Sequence, residues 1–203
     1  MSNVINLIKM QFENLFSLNK TFLVMISISL FLAFSTPEMF QYSVGIIIIA
    51  FTNLTIGREK ICNIDNLIKI LPIKESEYIL SRYIFGIIGI SISCIVMSLI
   101  SLMLKSSPYI SVEATIMSAL VVGTVMVAIV VPITTIVGPE KCRLIIVILT
   151  LAPIFFVNKL PQLLNRVNTL STNTLFLLTI LSSLLIMYVS YLITVSIYKK
   201  IEF

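Results

Sequence analysis

The side chains equipped for chemistry are densest in two short stretches, "GREKICNIDNLIKILPIKESEY" (57–78) and "GPEKCR" (138–143). What those side chains can do is narrow. The three cysteines, Cys62, Cys94 and Cys142, show no CxxC spacing, and the chain has no histidine, which excludes zinc ligation of the usual kind. Without histidine the familiar nucleophile–base triads and the commonest general base are also gone. No GxxxxGK[ST] occurs, so no P-loop cradles a nucleotide. A catalytic centre is not what these residues spell.

The elements that carry them explain why. The 203 residues are 58% hydrophobic and 11% charged, with a mean hydropathy of +1.09. A soluble domain carries roughly 25% charged residues, because its surface faces water. This composition predicts a surface that faces lipid. Six continuous apolar runs, at 18–36, 39–57, 77–104, 110–137, 144–161 and 174–198, each approach the ~20 residues a helix needs to cross a hydrocarbon core. Alternating ten-residue strands are absent, so the runs predict helices and not a barrel. The expected fold is an all-α integral membrane protein of six transmembrane helices, forming one domain over 1–203. The first run lacks the cleavage features of a signal peptide.

Lys and Arg near the span ends set the orientation. Lys9, Lys20, Arg58, Lys60, Lys69, Lys74, Arg82, Lys141, Arg143, Lys199 and Lys200 fall on one side, against Lys105, Lys159 and Arg166 on the other. The richer side is read as cytoplasmic, with both termini there. The net charge of +5 follows from this asymmetry, and no aromatic–basic surface suggests nucleic acid. No charged residue stands mid-span, and Glu113 lies near a span end. A charge at a helix centre costs about 2.5–3.5 kcal/mol on insertion scales, and proton-driven transporters typically retain one. Energy for any transport must therefore come from a partner.

Residues 1–17 place Val4, Ile5, Ile8, Phe12, Leu15 and Phe16 on one side of a helix and Asn3, Asn6, Lys9, Glu13 and Asn14 largely opposite, the pattern of an N-terminal interfacial helix. Between the second and third spans, Ile61, Ile64, Leu67, Ile68 and Leu71 form a single helical stripe. Glu59, Lys60, Asn63, Asp65, Asn66 and Lys69 cover the other side, and Pro72 ends the segment. Gly138-Pro139 breaks the fourth span ahead of Glu140, Lys141 and Arg143. Small polar residues on the spans (Ser27, Ser29, Thr52, Asn53, Thr55, Ser91, Ser93, Ser98, Ser101) fit either a transport path or ordinary helix packing, and packing is the commoner use.

At the two loops the sequence resembles permease subunits of type-2 ABC exporters, in particular small six-span permeases similar to those exporting phenol-soluble modulins. The resemblance rests on "LPIKESEYILSRYIFG" (71–86), on Pro132 in the fourth span and on "GPEKCR" (138–143), where Pro139 departs from the family pattern. It implies a dimer of permeases, two copies or a paralogous pair, each served by a separate cytosolic ATPase. That partner would hold the ATP and magnesium, leaving this chain no cofactor and no enzymatic activity of its own. It further implies that residues 58–71, within a cytoplasmic coupling segment at 58–75, form a coupling helix seated on the ATPase through Glu59, Lys60, Ile61, Ile64, Asp65, Leu67 and Ile68. Glu140, Lys141 and Arg143 would make a smaller second contact. Export of amphipathic or antimicrobial peptides from a bacterial plasma membrane is the implied function. The alternative is a membrane-embedded immunity or scaffold protein that binds a peptide or partner without transporting it.

Overall fold

The computed structural model describes residues 2–17, 19–35, 40–62, 64, 73–103, 112–138 and 172–200. Among these, six helices account for nearly everything: α1 Ser2–Ser17, α2 Asn19–Ser35, α3 Phe40–Ile61, α4 Glu75–Met103, α5 Val112–Ile136 and α6 Thr172–Tyr198. Three of them, over Glu75–Met103, Thr115–Ile136 and Thr174–Tyr198, are long and apolar enough to cross a membrane. A fourth crossing is added if Asn3–Ser17 and Lys20–Phe34, bent 83° to each other, form one broken span. The run expected at 144–161 lies outside the described residues.

α3, α4 and α5 pack on one another and form the centre, with α2 against α3 and α6 against α5 and α4. Close approach depends on two glycines. A Cβ on Gly86 of α4 would stand 2.6 Å from Cγ1 of Val127 on α5, and one on Gly123 of α5 would stand 3.0 Å from Ile48 and from Ile90. In lipid, where helices gain little from burying grease, such small residues let backbones meet. The larger core side chains then interlock around them, among them Ile48, Phe51, Phe85, Met97 and Val127.

The hydroxyls on these helices mostly serve the backbone. Thr52 donates to the Ile48 carbonyl (2.9 Å), Thr55 to that of Phe51 (2.7 Å), Ser93 to that of Gly89 (2.8 Å) and Ser98 to that of Cys94 (2.7 Å). With no water available, the carbonyl one turn back is the nearest acceptor. Ser43 crosses between helices, donating to the Ser29 carbonyl at 2.7 Å while its oxygen pairs with Ser29 Oγ at 2.9 Å. Ser27 and Ser91 are exposed.

The amphipathic helix expected at the N-terminus is present as α1, but it has three faces instead of two. Leu7, Gln11 and Leu15 are buried, Ile5 and Phe16 are apolar and exposed, and Asn6, Lys9 and Glu13 are polar and exposed. The buried face docks on α4 and α3. There Phe12 meets the Phe85 ring edge-on at 5.0 Å, Gln11 Nε2 donates to Ser81 Oγ at 3.3 Å, and Asn3 Nδ2 to Glu77 Oε2 at 3.4 Å. At the other end of the chain Tyr198 packs on Tyr78, with ring centroids 6.4 Å apart, and the Tyr191 hydroxyl reaches the Ser76 carbonyl at 3.4 Å. Both described ends of the chain therefore meet the bundle where α4 begins.

Candidate functional site

The C-terminal end of α3, the first turns of α4 and the C-terminal end of α5 converge on one charged cluster. Glu59 stands two residues before the end of α3. A carboxylate in a last helical turn meets the negative end of the helix dipole, so it requires a compensating cation. Arg82 of α4 supplies it, with Nη2 at 2.6 Å from Glu59 Oε2. The Arg82 and Glu59 side chains are 2% and 0% exposed. Tyr78, one turn before Arg82, donates its hydroxyl to the same Glu59 oxygen at 2.9 Å. Its ring lies 4.2 Å from the guanidinium carbon, and its oxygen also contacts Arg82 Nη2. Arg82 Nη1 reaches across to α5 and donates to Thr135 Oγ1 at 2.9 Å.

Beside the cluster, a narrow void lined by Gln11, Thr52, Thr55, Arg82 and Phe85 among others admits no water molecule. The pair is thus held by protein groups in a dry setting, where an intact pair is tolerated and a lone charge is not. Removing one partner of such a pair typically costs about 3–5 kcal/mol, whereas replacing both by well-packed apolar groups is often neutral or stabilising. Stability alone therefore does not account for an ion pair here. What the cluster supplies is direction: a planar fork fixed to α3 by one nitrogen and to α5 by another.

The surroundings of Glu59 differ from the solvated face expected for it. The helix carrying the second apolar run continues to Ile61, with the Cys62 amide still bonded to the Arg58 carbonyl at 3.0 Å, so Glu59, Lys60 and Ile61 belong to α3 itself. The local pattern REK reads as loop. The partner that draws Glu59 inward lies 23 residues further on. A usable signal was present: Thr52, Thr55, Ile56 and Glu59 share one helical face, and the first three are buried with it. Ile61 is exposed, and Ile64 is half-buried against the core. Asp65, Leu67 and Ile68, with Glu140, Lys141 and Arg143, lie outside the described residues.

The second loop leaves α5 at Gly138, which is buried and has φ 95°. That left-handed conformation ends helices at little cost only for glycine. Thr135 precedes it by three residues, so the departure of this loop is anchored by the same guanidinium that anchors the first. Among the described residues no group of three His, Cys, Asp or Glu side chains could hold a metal ion.

The described residues form an all-helical bundle in which three helices are long and apolar enough to cross a membrane. The profile of the family described as "ABC-2 family transporter protein" matches residues 6–199, and the chain belongs to that family. It is an integral membrane permease component without a catalytic ATPase domain, of a kind that generally works with a separate ATPase subunit. No curated protein and no solved structure matches it.

Proposed function

We propose that this permease is one half of the membrane conduit of an ATP-driven exporter that moves amphipathic or antimicrobial peptides out of a bacterial cell. The chain crosses the plasma membrane six times, at 18–36, 39–57, 77–104, 110–137, 144–161 and 174–198, with both termini in the cytoplasm. A second copy or a paralogue completes the conduit. Residues 1–17 lie along the membrane surface as an elbow, which the exposed apolar Ile5 and Phe16 beside the polar Lys9 and Glu13 support.

ATP and magnesium are bound by the cytosolic ATPase. Within residues 58–71, the part beyond the end of α3 at Ile61 seats on it as a coupling helix, rooted in the bundle by the buried Glu59, with 138–143 as a second contact. The observation that carries this reading is the tie between the end of α3 and the start of α4 through the buried Glu59–Arg82 pair, at the end of the bundle where both described ends of the chain also lie. Such an anchor suits a connection that transmits force. Inward- and outward-open arrangements would then alternate as ATP closes the ATPase. The cargo reading rests on the resemblance of 71–86 and 138–143 to peptide-exporter permeases.

The test is co-purification. Asp65→Lys and Ile68→Asp variants are expected to insert normally and to lose the ATPase expressed beside them. Retention of the ATPase by both variants would overturn the coupling-helix assignment. For cargo, the complex in lipid nanodiscs is expected to hydrolyse ATP faster when amphipathic helical peptides are added. A flat response across such peptides would remove the peptide-export reading.

A further inference from the structure

Arg82 joins the C-terminal ends of two helices. Nη2 holds Glu59, two residues before the end of α3, and Nη1 holds Thr135, one residue before the end of α5. The segment after α3 and the segment after α5 therefore have their roots tied to a single planar group, itself fixed on α4 and stacked over Tyr78. The geometry points to Arg82 as a positioning residue that makes the two cytoplasmic loops move as one body when the ATPase pulls on them. This rests on the reading that those loops engage an ATPase, and it adds how two separate contacts are kept in step.

The chemistry suits that task. An apolar contact between helix ends can slide, since dispersion has no preferred direction. A guanidinium with one nitrogen on each of two helices has a fixed span and angle, and separating it from Glu59 would leave a charge unpaired in a dry site. Lysine keeps the charge but, as a point donor on a flexible stem, cannot reproduce the fork. Thr135→Val keeps the volume and removes the α5 arm alone.

The experiment uses the full permease–ATPase complex in nanodiscs, with Cys94 and Cys142 replaced by serine. Spin labels are placed on the native, exposed Cys62 and on Val137→Cys, also an exposed position. The label-to-label distance is measured without nucleotide and in the vanadate-trapped state. With Arg82 and Thr135 intact, the same distance distribution is expected in both states. In Arg82→Lys and in Thr135→Val it is expected to shift or split on trapping, and ATP hydrolysis stimulated by an amphipathic helical peptide is expected to fall about ten-fold, within the range of site-to-site couplings, while basal hydrolysis is retained. A distance that changes on trapping in the parent overturns the proposal, and so do variants that keep the parental behaviour. Hydrolysis that falls only in proportion to folded complex assigns Arg82 a structural role and also overturns it. Failure of the parent to retain any ATPase overturns the underlying reading as well, and is seen at the purification step before any distance is measured.

Discussion

The hydroxyl of Ser190 on α6 donates to the carbonyl of Ala128 on α5 at 2.7 Å, and Ala128 is the acceptor that Pro132, four residues on, leaves without a helical N–H. A proline inside a span frees one carbonyl in a medium with no water, and a neighbouring helix must satisfy it. Tyr83 of α4 completes the junction, its hydroxyl lying 2.7 Å from Ser190 Oγ and 2.8 Å from Thr194 Oγ1. Thr194 in turn donates to the Ser190 carbonyl at 2.7 Å. With the Ser and Thr protons committed to carbonyls, the Tyr83 proton lies between the two side-chain oxygens. Three helices are joined around one proline.

Ser190→Ala is therefore expected to destabilise the protein by about 0.6–1.7 kcal/mol, the range of interhelical hydrogen bonds in membranes. In a Pro132→Ala background the loss should be smaller, because the restored amide takes over the Ala128 carbonyl. Unfolding in mixed micelles across the four combinations measures this coupling.

The Glu59–Arg82 pair makes an asymmetric prediction. Glu59→Leu or Arg82→Met alone should cost about 3–5 kcal/mol and reduce the yield of folded protein, whereas the double variant should recover most of that loss. Thermal stability in detergent separates the cases. A double variant no better than either single would show that the pair contributes no mutual compensation.

Gly86→Ala tests the α4–α5 approach. With Val127 Cγ1 2.6 Å from the new Cβ, and with a branched side chain that has few rotamers to escape into, the expected cost is about 1–3 kcal/mol. Val127→Ala should relieve it, returning the double variant towards the stability of Val127→Ala alone in the same unfolding assay.

At Gly138, with φ 95°, any residue bearing a Cβ meets the left-handed penalty of about 1–2 kcal/mol. Gly138→Ala should lower the melting temperature accordingly. Gly138→Asn should lower it less, since asparagine tolerates that region better.

Much of the helical framework was legible because lipid imposes a one-dimensional rule: a long apolar run must close its own hydrogen bonds. The run read at 77–104 is α4 at 75–103, that at 110–137 is α5 at 112–136, and that at 174–198 is α6 at 172–198. Pro132 and Gly138 were legible too, as backbone constraints local to the residue. Glu59 was not, because its burial depends on Arg82 and Tyr78 from another helix, and a charged triplet beside an apolar run normally marks the water's edge. Ser190 was not legible for the same reason: a lone serine in an apolar run gains meaning only once Pro132 lies across from it. The docking of α1 through Leu7, Gln11 and Leu15 was likewise masked, since a periodicity that separates grease from polarity does not separate lipid from protein.

α6 meets the rest of the protein along a narrow strip, through Met187, Ser190, Tyr191, Thr194 and Tyr198, and turns leucines, isoleucines and valines outward around most of its girth. Its 27 residues run about 40 Å, longer than the ~30 Å of a typical hydrocarbon core. The lean of this helix is thus negotiated with the acyl chains around it, and bilayer thickness becomes a mechanical input. A thinner membrane would tilt α6 and, through Ser190, load α5 at Pro132; a thicker one would relieve that load.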